Sequence, residues 1–212
     1  MKPLMRNMII SALLLGVFAV LGTAMVSYTF DATRDTIAEN ERQYLLENLH
    51  VIIAPEEHDN DLYHDTIEVT DPELLGTNKP VTVYRARKNG QPVGVVMTPV
   101  APNGYGGAIR LMVGIYRNGR IAGVRVLGHK ETPGLGDGIE ADRSDWIMNF
   151  AGKSLSNPGP EGWAVKKDGG KFDQFTGATI TPRAVVKAVN KALVYFERNK
   201  QTLFVREESA NG

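Results

Sequence analysis

From Met8 to Phe30 the chain carries no charge, and Ser11, Thr23, Ser27 and Thr29 are its polar interruptions. Roughly 19 to 22 residues from Met8 onward, at about 1.5 Å each, match the about 30 Å of a bilayer core and predict a membrane-spanning helix. Ile37, Tyr44, Leu45 and Leu49 then recur at roughly helical spacing, so the span is expected to run on into a juxtamembrane helix. "APEEHDNDLYHD", residues 54–65, is acidic and poor in apolar side chains, and reads as a surface connection.

From Thr66 the pattern changes to period two. Asn89-Gly90 and Asn118-Gly119 each divide apolar, β-branched runs, and such pairs supply the positive φ of tight hairpin turns. Ile109, Leu111, Val113 and Ile115 alternate with Arg110, Met112 and Gly114, which predicts one buried face. "DRSDWIMNFAGK" predicts a short helix capped at Asp142 or Ser144 and ending near Gly152, and "WAVKK" a short strand before the turn "DGG". A last helix is expected with Thr181 as N-cap, Pro182 at its first position, and Val185, Val189, Ala192, Leu193 and Phe196 along one face. The resulting class is α+β: a transmembrane helix, then an antiparallel-sheet domain with packed helices. The expected divisions are 1–30 for the N-terminus and anchor, 31–65 for the juxtamembrane helix and connector, 66–200 for the globular domain, and 201–212 for a flexible tail.

Charge orients the anchor. Lys2 and Arg6 precede the span, while Asp31 and Asp35 bracket Arg34 after it, which places the N-terminus in the cytoplasm and the domain outside. A cleaved signal peptide is the alternative, but the apolar run exceeds the usual signal core. Lysine plus arginine equals aspartate plus glutamate at 24 each, without the basic excess of a nucleic-acid binder. The chain has 0 cysteines, which excludes disulfides, thiol catalysis, cysteine-held iron–sulfur clusters and c-type haem together. A redox role would require an organic cofactor.

The segment "DQFTGATITP", residues 173–182, supplies more hydroxyls than a helix start needs. Thr179 lies close to the positive end of the last helix, where a phosphate is favoured, and Gly177 and Ala178 leave the backbone uncrowded. A plain turn followed by an N-cap, with Thr176 and Thr179 steadying local backbone, is the other reading. "GHKETPGLGDGIE", residues 128–140, could lie against a flat ring, with Leu135 as apolar contact and Glu131 or Thr132 bonding its edge; a hairpin exit loop is the alternative. "APNGYGGA" around Tyr105 is a weak signal by itself, lacking the strand–turn–helix setting of a phosphate loop. His129, the one histidine near possible chemistry, is expected at the surface of a strand end, with contact to a cofactor as the alternative. His58 and His64 converge on no metal geometry, and Glu131 with Asp137 lack a nucleophile or an orienting partner.

Asp173, Thr176, Gly177, Ala178 and Thr179 match the Asp-x-x-Ser/Thr-Gly-Ala-Thr pattern of FMN-binding domains whose final threonine carries the flavin. Together with "GYGGAI", "HKETPGLGD", "SDWIMNFAGK" and "WAVKKDGGKFDQFTGATITPRAVV", the chain resembles the G component of the Rnf (Rsx) ion-translocating electron transport complex. It is also similar to the C component of the sodium-translocating NADH:quinone reductase, an alternative assignment beside that of a non-redox anchored scaffold. The resemblance to the Rnf component implies a single-pass protein of the bacterial inner membrane with its domain in the periplasm. It implies FMN linked by a phosphoester to Thr179, making the chain a phosphoprotein in the chemical sense, and attached by a periplasmic flavin transferase that uses FAD. It further implies assembly with other Rnf subunits in a translocase that couples electron transfer to ion transport, with no turnover by this component in isolation. Its flavin-contacting positions map onto Glu131, Thr132, Gly134 and Leu135, beside Thr176, Gly177 and Ala178, and less directly onto Lys166 or Lys167.

Overall fold

A computed structural model describes residues 2–205. The chain divides into two compact units, Met1–Leu45 and Leu46–Gly212. Helix α1, Lys2–Ile52, is one continuous helix, so the juxtamembrane turns continue the span without a break. It is the one helix among the described residues that is long and apolar enough to cross a membrane. In the first unit its apolar side chains are exposed all round, Phe18 and Leu15 among them, as a helix solvated by lipid requires. The hydroxyls of Thr29 and Thr33 donate back to the carbonyls of Met25 and Thr29, each at 2.8 Å, which satisfies them without water.

The second unit is built on a six-stranded antiparallel sheet. Its strands are β1 (Thr66–Val69), β2 (Val81–Lys88), β3 (Gln91–Met97), β4 (Val100–Ala101), β5 (Ile109–Tyr116) and β6 (Ile121–Gly128). β1, β2 and β3 follow in order. β3 and the two-residue β4 share one edge of β5, and β6 takes the other. The β2–β3 hairpin closes on Asn89 and Gly90 with φ of 52° and 72°, the positive pair that a two-residue turn needs. In the β5–β6 hairpin only Gly119 is left-handed, at 83°, which suits a longer turn.

Ile109, Leu111, Val113 and Ile115 are fully buried, and they join one core with Val185, Val189, Leu193 and Phe196 of helix α3 (Ile180–Leu203), α2 being the single turn Pro72–Leu75. The single buried face expected for β5 is not what forms. Met112 is also fully buried, because the other face of the sheet is covered by the last turn of α1 and the segment after it, with Leu49, Ile52, Ile53 and Leu62 buried. Gly114 makes this approach possible: a Cβ there would sit 2.1 Å from Ile52 Cγ2. The acidic segment expected as a surface connection therefore contributes to packing. Its Glu57 carboxylate accepts the Tyr116 hydroxyl at 3.0 Å, and burial together with that carboxylate pushes the Tyr116 phenol above its usual range.

The short helix expected before Gly152 forms over Asp145–Phe150 as a 3-10 helix, capped by Ser144 and buried through Trp146, Ile147 and Phe150. Other local expectations are corrected. The strand expected at "WAVKK" reduces to a single bridge between Val165 and Phe172, followed by a 3-10 turn over Lys166–Asp168. α3 begins earlier than expected, with Thr179 in the cap position and Pro182 third in the helix, where its missing N–H costs nothing because first-turn amides have no intrahelical acceptor. At the other end α3 runs on to Leu203. There Arg85 and Arg87 donate to the carbonyls of Val205 and Phe204 at 2.8 and 3.2 Å, so residues 201–205 are tied to the sheet. The rest of the expected flexible tail, 206–212, lies outside the described residues.

Candidate functional site

Three segments meet at the N-terminal end of α3: the loop before β5, the loop after β6, and the threonine-rich turn. In the last of these the Ala178 amide donates to the Phe175 carbonyl at 3.1 Å, closing a β-turn whose third residue is Gly177 at φ 81°. A side chain there would be strained, so the position calls for glycine. In the loop after β6 the amides of Leu135 and Gly136 both donate to the Thr132 carbonyl, at 3.1 and 3.0 Å, and Gly134 takes φ 75°. Leu135 is thereby presented to the other turn: a Cβ on Gly177 would be 3.6 Å from its Cδ2.

Glu131 holds the three segments together. Its side chain is buried; Oε1 accepts the Gly106 amide at 2.9 Å, and Oε2 accepts the hydroxyl of Thr181. Thr181 is thus not the cap that spacing predicts. Its fully buried hydroxyl is spent on a carboxylate 50 residues away. The Glu131 amide donates to His129 Nδ1 at 2.9 Å, so the ring proton is on Nε2 and is directed at Glu140 Oε1, 2.6 Å away. His129 is accordingly a largely buried strut, not the surface residue expected. Glycine is required around the carboxylate, since a Cβ on Gly136 would lie 2.9 Å from Glu131 Oε2 and one on Gly104 2.7 Å from Oε1.

Two cavities open on this frame. One, of about 300 Å³, is lined by Glu131, Thr132, Leu135, Gly177, Ala178 and Thr179, with Tyr105 and Ile180 at its wall. The other, of about 620 Å³, lies across Leu135 and is lined by Gly134, Thr176, Phe175, Gln174 and Arg143 among others. Both fall within the size range of small-molecule sites. Of the sequence-predicted residues, only the lysines stand outside. Lys166 pairs with Asp173 at 2.6 Å, while Lys167 offers its backbone amide to Gln174 and its side chain to neither cavity. Thr179 is half-buried, and its hydroxyl makes no capping bond. One turn later, Arg183 grips Asp168 at 2.6 and 2.8 Å; the hydrogen bond and the guanidinium charge hold that carboxyl below the usual aspartate range.

Sequence reasoning missed Trp146, whose indole N–H donates to the Asp173 carbonyl at 2.7 Å and whose ring meets Phe175 edge-on at 5.3 Å, fixing the entry to the threonine turn. It also gave too little weight to Tyr105. The signal available was an aromatic residue flanked by glycines, but its destination depends on Glu131.

Comparison with known proteins agrees with this layout. Residues 104–194 match the FMN-binding domain, a span that contains the residues lining both cavities, and residues 1–52 match the RnfG N-terminal region. In Pseudomonas aeruginosa the G component of the ion-translocating oxidoreductase complex is 49% identical over 205 residues, covering 97% of this chain and 96% of its own. The chain belongs to the RnfG family. Members from Shewanella loihica and Aliivibrio fischeri are 47% and 45% identical, over 95% and 91% of this chain.

The residues present fit the flavin nucleotide that the family's domain name implies. A threonine hydroxyl free of capping duty lies at a helix N-terminus that favours phosphate, and the adjoining cavity has apolar walls from Leu135, Ile180 and Tyr105. Gly177 presents backbone, not side chain, on the approach.

Proposed function

We propose that this chain is the electron-carrying subunit of a membrane-bound Rnf-type complex that couples electron transfer to ion translocation, with FMN linked by a phosphoester to Thr179. The observation that carries the reading is the placement of the Thr179 hydroxyl: uncommitted, half-buried, and opening on the cavity that the 131–136 loop completes. The names of the relatives support membership of a multi-subunit ion-translocating oxidoreductase complex, and the other subunits of that complex are its partners.

Attachment follows from the chemistry of the hydroxyl. Its oxygen attacks the FMN phosphorus of FAD, the pyrophosphate bond breaks, AMP leaves, and the hydroxyl proton passes to solvent. A separate flavin transferase supplies the activation that an isolated threonine lacks, and Asp173 and Thr176 belong to the surface it recognises. The resulting diester keeps one negative charge, which the first turn of α3 balances without an arginine cluster. When bound, FMN supplies one- and two-electron carriage. Leu135, Gly177 and Ala178 then confine it, and Glu131 keeps the walls in register through Gly106 and Thr181. With Lys2 and Arg6 on the cytoplasmic side of α1, the domain faces the periplasm of the inner membrane.

The test is co-expression with a flavin transferase and export, followed by denaturing gel electrophoresis. Wild type is expected to retain flavin fluorescence and to gain the mass of FMN less one water; Thr179→Ala is expected to show neither. Fluorescence surviving in Thr179→Ala would refute the attachment point.

A further inference from the structure

Among the described residues of the second unit six large apolar side chains are exposed: Val51, Tyr105, Leu135, Met148, Ile180 and Val205. Three of them, Tyr105, Leu135 and Ile180, line the cavity that Thr179 opens on. Tyr105 is 71% exposed, the most open of the six. This exposure does not come from a loose loop. The Gly106 amide is held by Glu131, a Cβ on Gly106 would lie 1.8 Å from the Lys130 carbonyl oxygen, and one on Gly104 would lie 2.4 Å from that of Gly107. The backbone on both sides of Tyr105 is fitted closely against its neighbours, while its ring is left in solvent.

An aromatic ring gains from burial, and one held out on a close-fitted backbone beside a cavity forgoes that gain until something flat covers it. The other large apolar side chains of that cavity are Leu135 and Ile180, about half exposed at 47% and 45%. We infer that Tyr105 is a positioning residue that packs its phenol against the flavin ring carried by Thr179, with Leu135 and Ile180 completing an apolar clamp. The inference rests on the attachment of FMN to Thr179 and goes beyond it, since attachment fixes only the phosphate end. Aromatic contact would hold the ring in one orientation, whereas the ribityl chain, joined at a single point, leaves it free to swing. Glu131 sets the position of this clamp, because its two oxygens tie the Tyr105 loop and the start of α3 to one carboxylate.

A phenol in contact with a flavin donates an electron to the excited ring and recovers it on decay, so contact quenches fluorescence; leucine and phenylalanine do not donate in this way. The experiment compares full-length, transferase-loaded wild type with Tyr105→Leu and Tyr105→Phe in detergent, reading native flavin fluorescence relative to the same sample after denaturation. Both variants are expected to raise that ratio several-fold at equal covalent loading. Tyr105→Leu should in addition make the flavin more accessible to iodide quenching. Tyr105→Phe keeps the ring and its packing, so a rise there cannot be ascribed to a disturbed fold. An unchanged ratio in both variants, in a wild type that carries denaturation-resistant flavin, overturns the clamp alone. Absence of such flavin from the wild type overturns the attachment reading, and the clamp with it.

Discussion

At its C-terminal end α3 closes on two buried guanidiniums, Arg85 and Arg87, whose charge is shared by Asp65 at 2.6 and 2.9 Å and whose other donors take the carbonyls of Val205 and Phe204. At its N-terminal end a single buried carboxylate, Glu131, takes one hydroxyl and one amide. Both arrangements complement the helix dipole, with cations at the carbonyl end and an anion at the amide end. They differ in what remains. Asn60 completes the C-terminal network by donating to Asp65 at 3.0 Å and accepting from the Arg87 amide at 2.7 Å. The N-terminal network stops at Thr181, and Gly136 and Gly177 line the cavity beside Thr179. One end of the helix is built for stability and the other for access.

Substitutions at the two ends should therefore separate stability from flavin loading. The largest stability effect is expected from Asp65→Ala, which leaves two buried cations without their carboxylate. A loss of about 3 kcal/mol, toward the low end for a broken buried pair because Asp65 is partly exposed, should lower the urea midpoint. Flavin loading per folded molecule should hold. A loss of loading equal to that of Thr179→Ala would break the division between the two ends.

Thr181→Val comes next. It removes the hydroxyl from a buried carboxylate at nearly constant volume and should cost about 1–3 kcal/mol in denaturant melts. Because Glu131 also places the Tyr105 loop, loading should fall as well, and Thr181→Ser should restore both. Recovery of neither would show that packing of the methyl group, not the hydrogen bond, holds the start of α3.

The smallest effect belongs to Arg183→Ala. The Asp168–Arg183 pair is exposed, so melts near neutral pH should not shift. The readout is titration. With Arg183 present the Asp168 carboxyl is depressed, so whatever it adds to stability is present above the usual aspartate value and is lost as pH falls through the depressed one. Removing the guanidinium should raise that titration toward the ordinary aspartate range by NMR, and a carboxyl that stays depressed would assign the effect to another group.

What was legible in the sequence follows from distance along the chain. The helix from Met8 and the Asn89-Gly90 turn are local patterns read by local physics, and each formed; the strand read from Ile109 to Ile115 formed as well, but with both faces buried where its alternation predicts one. The Gly177 turn is also local, since a positive φ at the third position of a β-turn selects glycine by itself. Thr181 was legible as important but not in its role. A threonine ahead of a proline reads as a cap, and nothing nearby announces a carboxylate at 131. The "WAVKK" strand failed for the converse reason: its β-like residues find only one bridging partner, Phe172, before Gly169 turns the chain. Burial of the sheet face that carries Met112 depended on the end of α1, whose Ile52 packs over Gly114 and Gly123.

By itself the sequence determined the class of the protein: an apolar span, an antiparallel domain, no cysteine chemistry, and a threonine motif at a helix start. Those properties reside in composition, period and short spacing, which the chain carries wherever it folds. Only the tertiary structure decided that Glu131 joins the Tyr105 loop to α3, that Thr179 keeps its hydroxyl free while Thr181 does not, and that Tyr105 stands beside the same cavity. A buried carboxylate must collect its donors from whichever segments the fold brings within about 3 Å, and no spacing along the chain encodes that choice.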